Sequence, residues 1–110
     1  GPAMEIARLA GITDGWSPDG HQIQLRYANG RCYINLAETH DTLGIMFLIS
    51  NPPRHGYGST TIQACKAYAE QHRKTLTALV VEQSVAPFWT KQGFVPVTPG
   101  NLTYTPSTLS

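Results

Sequence analysis

The passage from Leu43 to Arg73 constrains this chain most. An apolar run, Leu43 to Ile49, leads into Asn51-Pro52-Pro53-Arg54-His55-Gly56-Tyr57-Gly58-Ser59, and a segment with helical spacing follows from Ser59 to Arg73. A continuously apolar strand reads as a central one, covered on both faces. Pro52-Pro53 ends it, because proline cannot donate to a strand ladder. Two glycines two residues apart let the backbone reach positive φ and come close to a ligand. The first N–H groups of the new helix have no internal partner, and the positive end of the helix dipole favours an anion there. The passage therefore predicts a strand-to-helix turn able to cradle a pyrophosphate. An ordinary glycine-bearing turn is the competing reading, since short glycine patterns match by chance.

The rest of the chain supplies a mixed α/β setting for that turn. On the helix, Ile62, Cys65, Ala69 and His72 form one stripe, widened by Tyr68, and Gln63, Lys66, Glu70 and Arg73 cover the far side. Leu76 to Val81 is a second buried strand. Strand, helix, strand at this spacing is a right-handed crossover, so the two strands run parallel. Upstream, His21 to Ala28 alternates, with Ile23, Leu25 and Tyr27 on one side. Asn29-Gly30 is a hairpin signal, and Arg31 to Glu38 alternates again. Met4 to Leu9 is a short strand or a helical turn; the pattern fits both. Gly11 to Gly20 reads as loop, with Trp16 inside it plugging an edge of the core. Ser84 to Gln92 is a short helix with Pro87 early and Gly93 as its stop. Phe94–Val97 and Leu102–Tyr104 are closing strands, either of which could pair across chains at a sheet edge.

Composition narrows the class. The chain has 110 residues, 41% hydrophobic and 14% charged, which suits one packed domain and not a coiled coil or a disordered tail. Gly1-Pro2-Ala3 before Met4 looks like a cleavage scar and is set aside, leaving 4–110 as the domain. Net charge is +1 without a basic run, so nucleic-acid binding is not signalled. Arg54, His55, Lys66 and Arg73 suit a small polyanion at most, with Lys66 and Arg73 better read as scattered charge. Cys32 and Cys65 lie far apart and outside any metal-spaced pattern, and Cys65 reads as core packing rather than a nucleophile. The expectation is a cytoplasmic protein without a metal or a membrane span.

Three features taken together resemble the GCN5-related N-acetyltransferase (GNAT) superfamily. The first is the apolar strand running into Arg54-His55-Gly56-Tyr57-Gly58-Ser59, similar to that family's arginine/glutamine-x-x-glycine-x-glycine/alanine loop. The second is the helix and strand that follow. The third is Val85-Ala86-Pro87-Phe88-Trp89-Thr90-Lys91-Gln92-Gly93-Phe94, similar to its alanine-x-proline-phenylalanine-tyrosine … glycine-phenylalanine segment. Half the chain, Leu43 to Phe94, carries the resemblance. Aligned on the glycines, the family's first arginine or glutamine falls on Pro53, and its acid tyrosine falls on Trp89. The family's two helices between the first strands have no room here.

The resemblance implies a centrally splayed mixed sheet, with a main helix after the central strand and a short second helix. It implies acetyl-CoA as cofactor and donor. Pantetheine would lie between the parallel strands along Leu48, Ile49 and Ser50. Pyrophosphate would lie on Arg54, His55, Gly56, Tyr57, Gly58 and Ser59, with Phe88 and Trp89 beside them and Tyr57 packing on the cofactor. The implied reaction is acetyl transfer to an exposed amine, a protein lysine or N-terminus, with a small-molecule amine as the other option. Short phage-encoded acetyltransferases share this economy of design, and the family supplies both monomers and homodimers. A lysine amine near pKa 10.4 is mostly protonated at neutral pH, so a base is wanted. Glu82, at the end of the second parallel strand, is nearest the expected cleft, ahead of Glu38, His40 and Asp41. A non-catalytic module of the same fold, binding acyl-CoA or a protein, is the alternative. A nucleoside triphosphate site lacks its Gly-Lys-Ser/Thr ending.

Overall fold

A computed structural model describes residues 1–12, 16–19, 22–79, 81 and 83–109, with the side chains at 16–19, 83 and 108 excepted. The elements are α1 (Pro2–Leu9), β1 (Trp16–Asp19), β2 (Gln22–Tyr27), β3 (Gly30–Glu38), β4 (Thr42–Asn51), α2 (Tyr57–His72), β5 (Thr75–Ala78), α3 (Ala86–Lys91), β6 (Val95–Thr98) and β7 (Asn101–Tyr104). The strands form one mixed sheet in the order β1-β2-β3-β4-β5-β7-β6. Only β4 and β5 are parallel, joined across α2; every other pair is antiparallel.

The core lies between α2 and one face of the sheet. Ile62, Cys65, Tyr68 and Ala69 of α2 are buried against Ile34, Leu36, Leu43, Ile45, Leu76 and Ala78. Each fully buried aliphatic side chain contributes about 1.5–3 kcal/mol. Thr61 and Ala64 widen the stripe, whereas His72 is exposed and leaves it to meet Glu5 of α1 at 2.8 Å. Residues 2 and 3, set aside above, form the first turn of α1, where Pro2 gives up no needed donor. Ile6 and Ala7 bury α1 against the rest of the core.

Several expectations need correction. Trp16–Asp19 is a strand, not loop; Pro18 is tolerated because β1 lies at the sheet edge. The β2–β3 turn is Ala28-Asn29, since Tyr27 pairs directly with Gly30. Gly30 serves another purpose: an added Cβ there would lie 2.3 Å from Tyr57 Cε2 and 2.8 Å from the Asn51 carbonyl oxygen. The central strand is covered on both faces only over Leu43–Ile45; Met46 and Ile49 are 47% and 49% exposed. The second parallel strand stops at Ala78. Leu79 N–H still donates to Ile45 O, but Val81 N–H donates to Gly100 O in the β6–β7 turn. At the far end of the sheet β6 is the edge strand; β7 is enclosed between β5 and β6 and is not an edge.

Glu38 is part of this frame and not a free base. Its carboxylate accepts from the Tyr68 hydroxyl and lies 3.0 Å from Lys74 Nζ. Partial burial pushes the carboxyl upward, but the Tyr68 hydrogen bond, Lys74 and His72 outweigh it and hold Glu38 below its ordinary 4.5. A depressed folded-state pKa adds stability above the unfolded value and loses it as pH falls through the folded one. The thermal midpoint is therefore expected to fall as pH drops below 4.5, more steeply in the parent than in Glu38→Gln. Parallel melting curves across the acid limb check this difference.

Candidate functional site

The parallel ladder between β4 and β5 covers Thr42–Ile45 and Thr75–Ala78 and then ends. From Met46 onward β4 keeps β3 as its strand partner, while the chain after β5 turns towards β7. Met46 is also the extra residue of a bulge, since Asn35 pairs with Phe47 and Leu36 with Ile45. Bulges redirect a strand and its side chains. The sheet thus divides where the apolar run begins to be exposed.

On the helical side of this division lies a groove of about 490 Å³, lined by Leu48, Ser50, Pro53, Arg54, Gly56, Gly58, Ser59, Ser84, Val85, Phe88 and Trp89. Leu48 and Ser50 come from β4, and Gly56 to Ser59 from the start of α2. Ser84 and Val85 come from a 3-10 turn over Gln83–Val85, and Phe88 and Trp89 from α3. A second hollow, of about 540 Å³, lies beyond the β5 arm, walled mostly by Val81, Ala86, Pro99, Gly100 and Leu102.

The start of α2 is built for close approach. Gly56 caps the helix at φ 80° with no side-chain hydrogen bond to the first turn. Arg54, at φ 64°, is left-handed as well, at a cost of about 1 kcal/mol for a residue with a Cβ. Gly58 is buried, and an added Cβ would sit 3.1 Å from Ser50 Oγ and 3.3 Å from Leu48 Cδ2. The first turn of α2 therefore borders the groove with two glycines that put no side chain into it.

Of the residues singled out from the sequence, Leu48, Ser50, Arg54, Gly56, Gly58, Ser59, Phe88 and Trp89 come together along the groove. The side chains of Ile49, His55 and Tyr57 do not line it. Ile49 alternates to the opposite face, opposite Tyr33. His55 Nδ1 lies 2.9 Å from the Pro53 carbonyl oxygen. Tyr57 turns back onto the sheet, its ring stacked 4.8 Å from that of Tyr27, whose hydroxyl pairs with Thr61 Oγ1 at 2.8 Å. Tyr57 thus anchors the loop instead of facing a ligand. Trp89 borders the groove but is 5% exposed, held edge-on between Phe88 and Phe94. Arg73 caps the other end of α2, and Lys66 donates to the Gln92 carbonyl and covers the Tyr104 ring, so neither joins Arg54. Glu82 lies outside the described residues. Both cysteines are free and buried; burial, with Cys32 nearby, pushes the Cys65 thiol far up, which keeps it protonated and inert.

Pro53, Ser84, Val85 and Gln92 were not read from the sequence as parts of a site. Pro53 stood as a lost donor, yet it serves as wall. Gln92, buried at the end of α3, donates to Ser59 Oγ at 3.1 Å and accepts from Gln63 at 3.0 Å. It ties the far wall of the groove to the first turn of α2. Gln92→Ala is expected to cost about 1–2 kcal/mol, two net hydrogen bonds, with an unchanged denaturant slope. Urea titration checks both quantities.

Among the described residues, no helix is long and apolar enough to cross a membrane, and no cluster of His, Cys, Asp or Glu could hold a metal ion. No family model and no curated protein matches the chain. Solved structures do. The anti-CRISPR protein AcrVA5 aligns with TM-score 0.59 and 16% identity, over 76% of this chain and 98% of its own. Tetrahymena GCN5 aligns with TM-score 0.59 and 15% identity, over 82% and 71%. The Bacillus subtilis N-acetyltransferase YlbP, solved in complex with coenzyme A, aligns with TM-score 0.54 and 14% identity, over 78% and 68%. Identities this low speak for architecture alone. The divided sheet, the helix that starts at its branch and these likenesses converge: the chain has a GNAT-superfamily fold.

Proposed function

We propose that this chain is an acetyl-CoA-dependent N-acetyltransferase acting on an exposed amine, a protein lysine or N-terminus. The observation that carries the reading is the uncapped start of α2, with buried Gly58, opening onto the gap where β4 leaves β5. Ligands of open α/β sheets favour such crevices at the carboxyl ends of strands. YlbP, of the same architecture, was solved with coenzyme A.

The residues fit that group. The first-turn N–H groups of α2 and the Arg54 guanidinium would hold the pyrophosphate. Leu48 and Phe88 offer apolar wall to an aliphatic arm, and β4 backbone beyond Ile45 has no β5 partner to compete for its hydrogen bonds. Single dipole contacts contribute about 0.3–1 kcal/mol. Micromolar binding needs about 8 kcal/mol, so the amides, Arg54 and the walls must act together. When bound, acetyl-CoA supplies an acetyl group activated as a thioester. The chain's remaining task is to take a proton from the acceptor ammonium, and Glu82 is the base we assign to it.

One observation favours a second reading, a non-catalytic acyl-CoA-binding or protein-interaction module. Among the described residues lining the groove none is a carboxylate, and Trp89 offers an indole N–H but no usable acid. Incubation with radiolabelled acetyl-CoA and a panel of proteins and polyamines separates the readings. Label on an amine, lost in Glu82→Gln, is the result expected for the transferase. Calorimetric binding of coenzyme A without transfer to any acceptor favours the module, and no binding at all leaves only a protein-interaction role.

A further inference from the structure

The sheet has one helical face and one bare face. Directly opposed residues share a face, so the strand register sorts them. Tyr27 bonds to Thr61, Glu38 to Tyr68, and Tyr104 to Glu70, which puts α2 on the face of Leu25, Ile34, Leu48 and Leu102. Phe88 of α3 approaches Gly58 on the same side, and α1 packs on α2. No helix among the described residues covers the other face.

The bare face has a definite chemistry. Tyr33, Phe47 and Ile49 lie side by side across β3 and β4, joined by bulged Met46 and by Leu79. At one end Arg26 stands directly opposite Arg31, both exposed, with no ion pair to either among the described residues. Like charges opposed across a ladder are unfavourable, and among the described side chains of this face there is no carboxylate to relieve them. The face also adjoins the place beyond Ile45 where the β4–β5 ladder ends, and the groove lies on the other side of that division.

We propose that the bare face docks the acceptor protein, through a segment apolar at its centre and acidic at the end that meets Arg26 and Arg31. The proposal rests on the transferase reading and adds the partner's chemistry to it. A second copy of this chain brings the same two cations and, among the described side chains of that face, no anion to meet them. A nucleic acid is poorly matched, because two cations fall short of the roughly six to ten phosphate contacts of such complexes and the middle of the face is apolar. A protein segment held there presents its amine to the gap from the side opposite the cofactor groove.

The test uses the full chain and two synthetic peptides with the same leucine–phenylalanine centre and one lysine, one carrying glutamates and the other glutamines. Fluorescence anisotropy is expected to show binding of the glutamate peptide, with the glutamine peptide about tenfold weaker at low salt. Arg26→Glu/Arg31→Glu is expected to remove that preference, and Tyr33→Asp to weaken both peptides, with melting curves confirming that each variant is folded. Equal binding of the two peptides, no binding, or unchanged binding by the arginine variant overturns the proposal. So does displacement of the peptide by a single-stranded oligonucleotide, or a dimer in sedimentation that Tyr33→Asp disperses. Calorimetry with acetyl-CoA on the same samples separates the two failures. A chain that binds acetyl-CoA but neither peptide loses only the docking surface, whereas one that binds a peptide but not acetyl-CoA loses the groove reading.

Discussion

Replacing Gly58 by valine is expected to abolish coenzyme A binding while the chain still folds. A Cβ at this position already reaches 3.1 Å from Ser50 Oγ, 3.3 Å from Leu48 Cδ2 and 3.5 Å from Phe88 Cζ. These are groove walls on two different elements, β4 and α3. The two further methyls of valine extend into the space between them. Overpacking of this kind costs about 1–3 kcal/mol, against a total stability of about 5–15 kcal/mol for a small domain, so the folded state survives. The groove does not, and affinity is expected to fall more than about a hundredfold, which corresponds to about 2.7 kcal/mol. Gly58→Ala is the graded control, with a smaller loss because Ser50 can turn its hydroxyl aside. Calorimetry on a variant whose denaturation curve remains cooperative checks the prediction. Unchanged affinity in folded Gly58→Val would remove this groove from consideration as the cofactor site.

Gly30→Ala is expected to give the largest loss of stability of any glycine-to-alanine change in the strands. The new methyl would collide with the Tyr57 ring at 2.3 Å, the Asn51 carbonyl oxygen at 2.8 Å and Pro52 Cδ at 2.9 Å. Pro52 belongs to the turn that leads into α2, and Asn51 and Tyr57 bound it on either side, so relief requires the turn itself to move. A cost of about 3 kcal/mol corresponds to a fall of roughly 10 °C or more in the thermal midpoint. The double variant Gly30→Ala/Tyr57→Ala discriminates the causes. Removing the ring relieves only part of the clash, because the Asn51 oxygen is main chain, so recovery is expected to be partial. A double-mutant cycle of melting curves measures the share that belongs to Tyr57.

These two glycines also mark how far the sequence could be read. Gly58 was legible because its pattern is local: strand, two glycines, helix, all within one short stretch. The βαβ unit and the short helix stopped by Gly93 were legible for the same reason. Gly30 was misassigned to turn chemistry, since nothing near it in sequence announces that Tyr57 will lie over it. Tyr57 was assigned to the ligand for the same lack; its real partners, Tyr27 and Gly30, belong to another hairpin. Trp16–Asp19 escaped notice because Ser17, Pro18 and Asp19 are poor strand formers, admitted only by an edge. The early end of β5 was hidden by an unbroken apolar pattern, and only the Val81–Gly100 bond reveals the departure. Gln92 joins two helices through a side chain that no spacing rule distinguishes from a surface glutamine.

The short ladder between β4 and β5 has a further consequence. The β1–β4 meander closes by adjacent hairpins, whereas the four residue pairs of this ladder join partners separated by the whole of α2. Contacts of that range are slow to form and carry a loop-closure cost. The two halves of the sheet are thus sewn along one brief line, with α2 packed beneath it and the groove at the loose end of the stitching. Amide exchange is expected to quicken where the ladder ends, beyond Ile45, and any occupant of the groove sutures the two halves, adding about 2.7 kcal/mol of stability at a hundredfold excess over its dissociation constant.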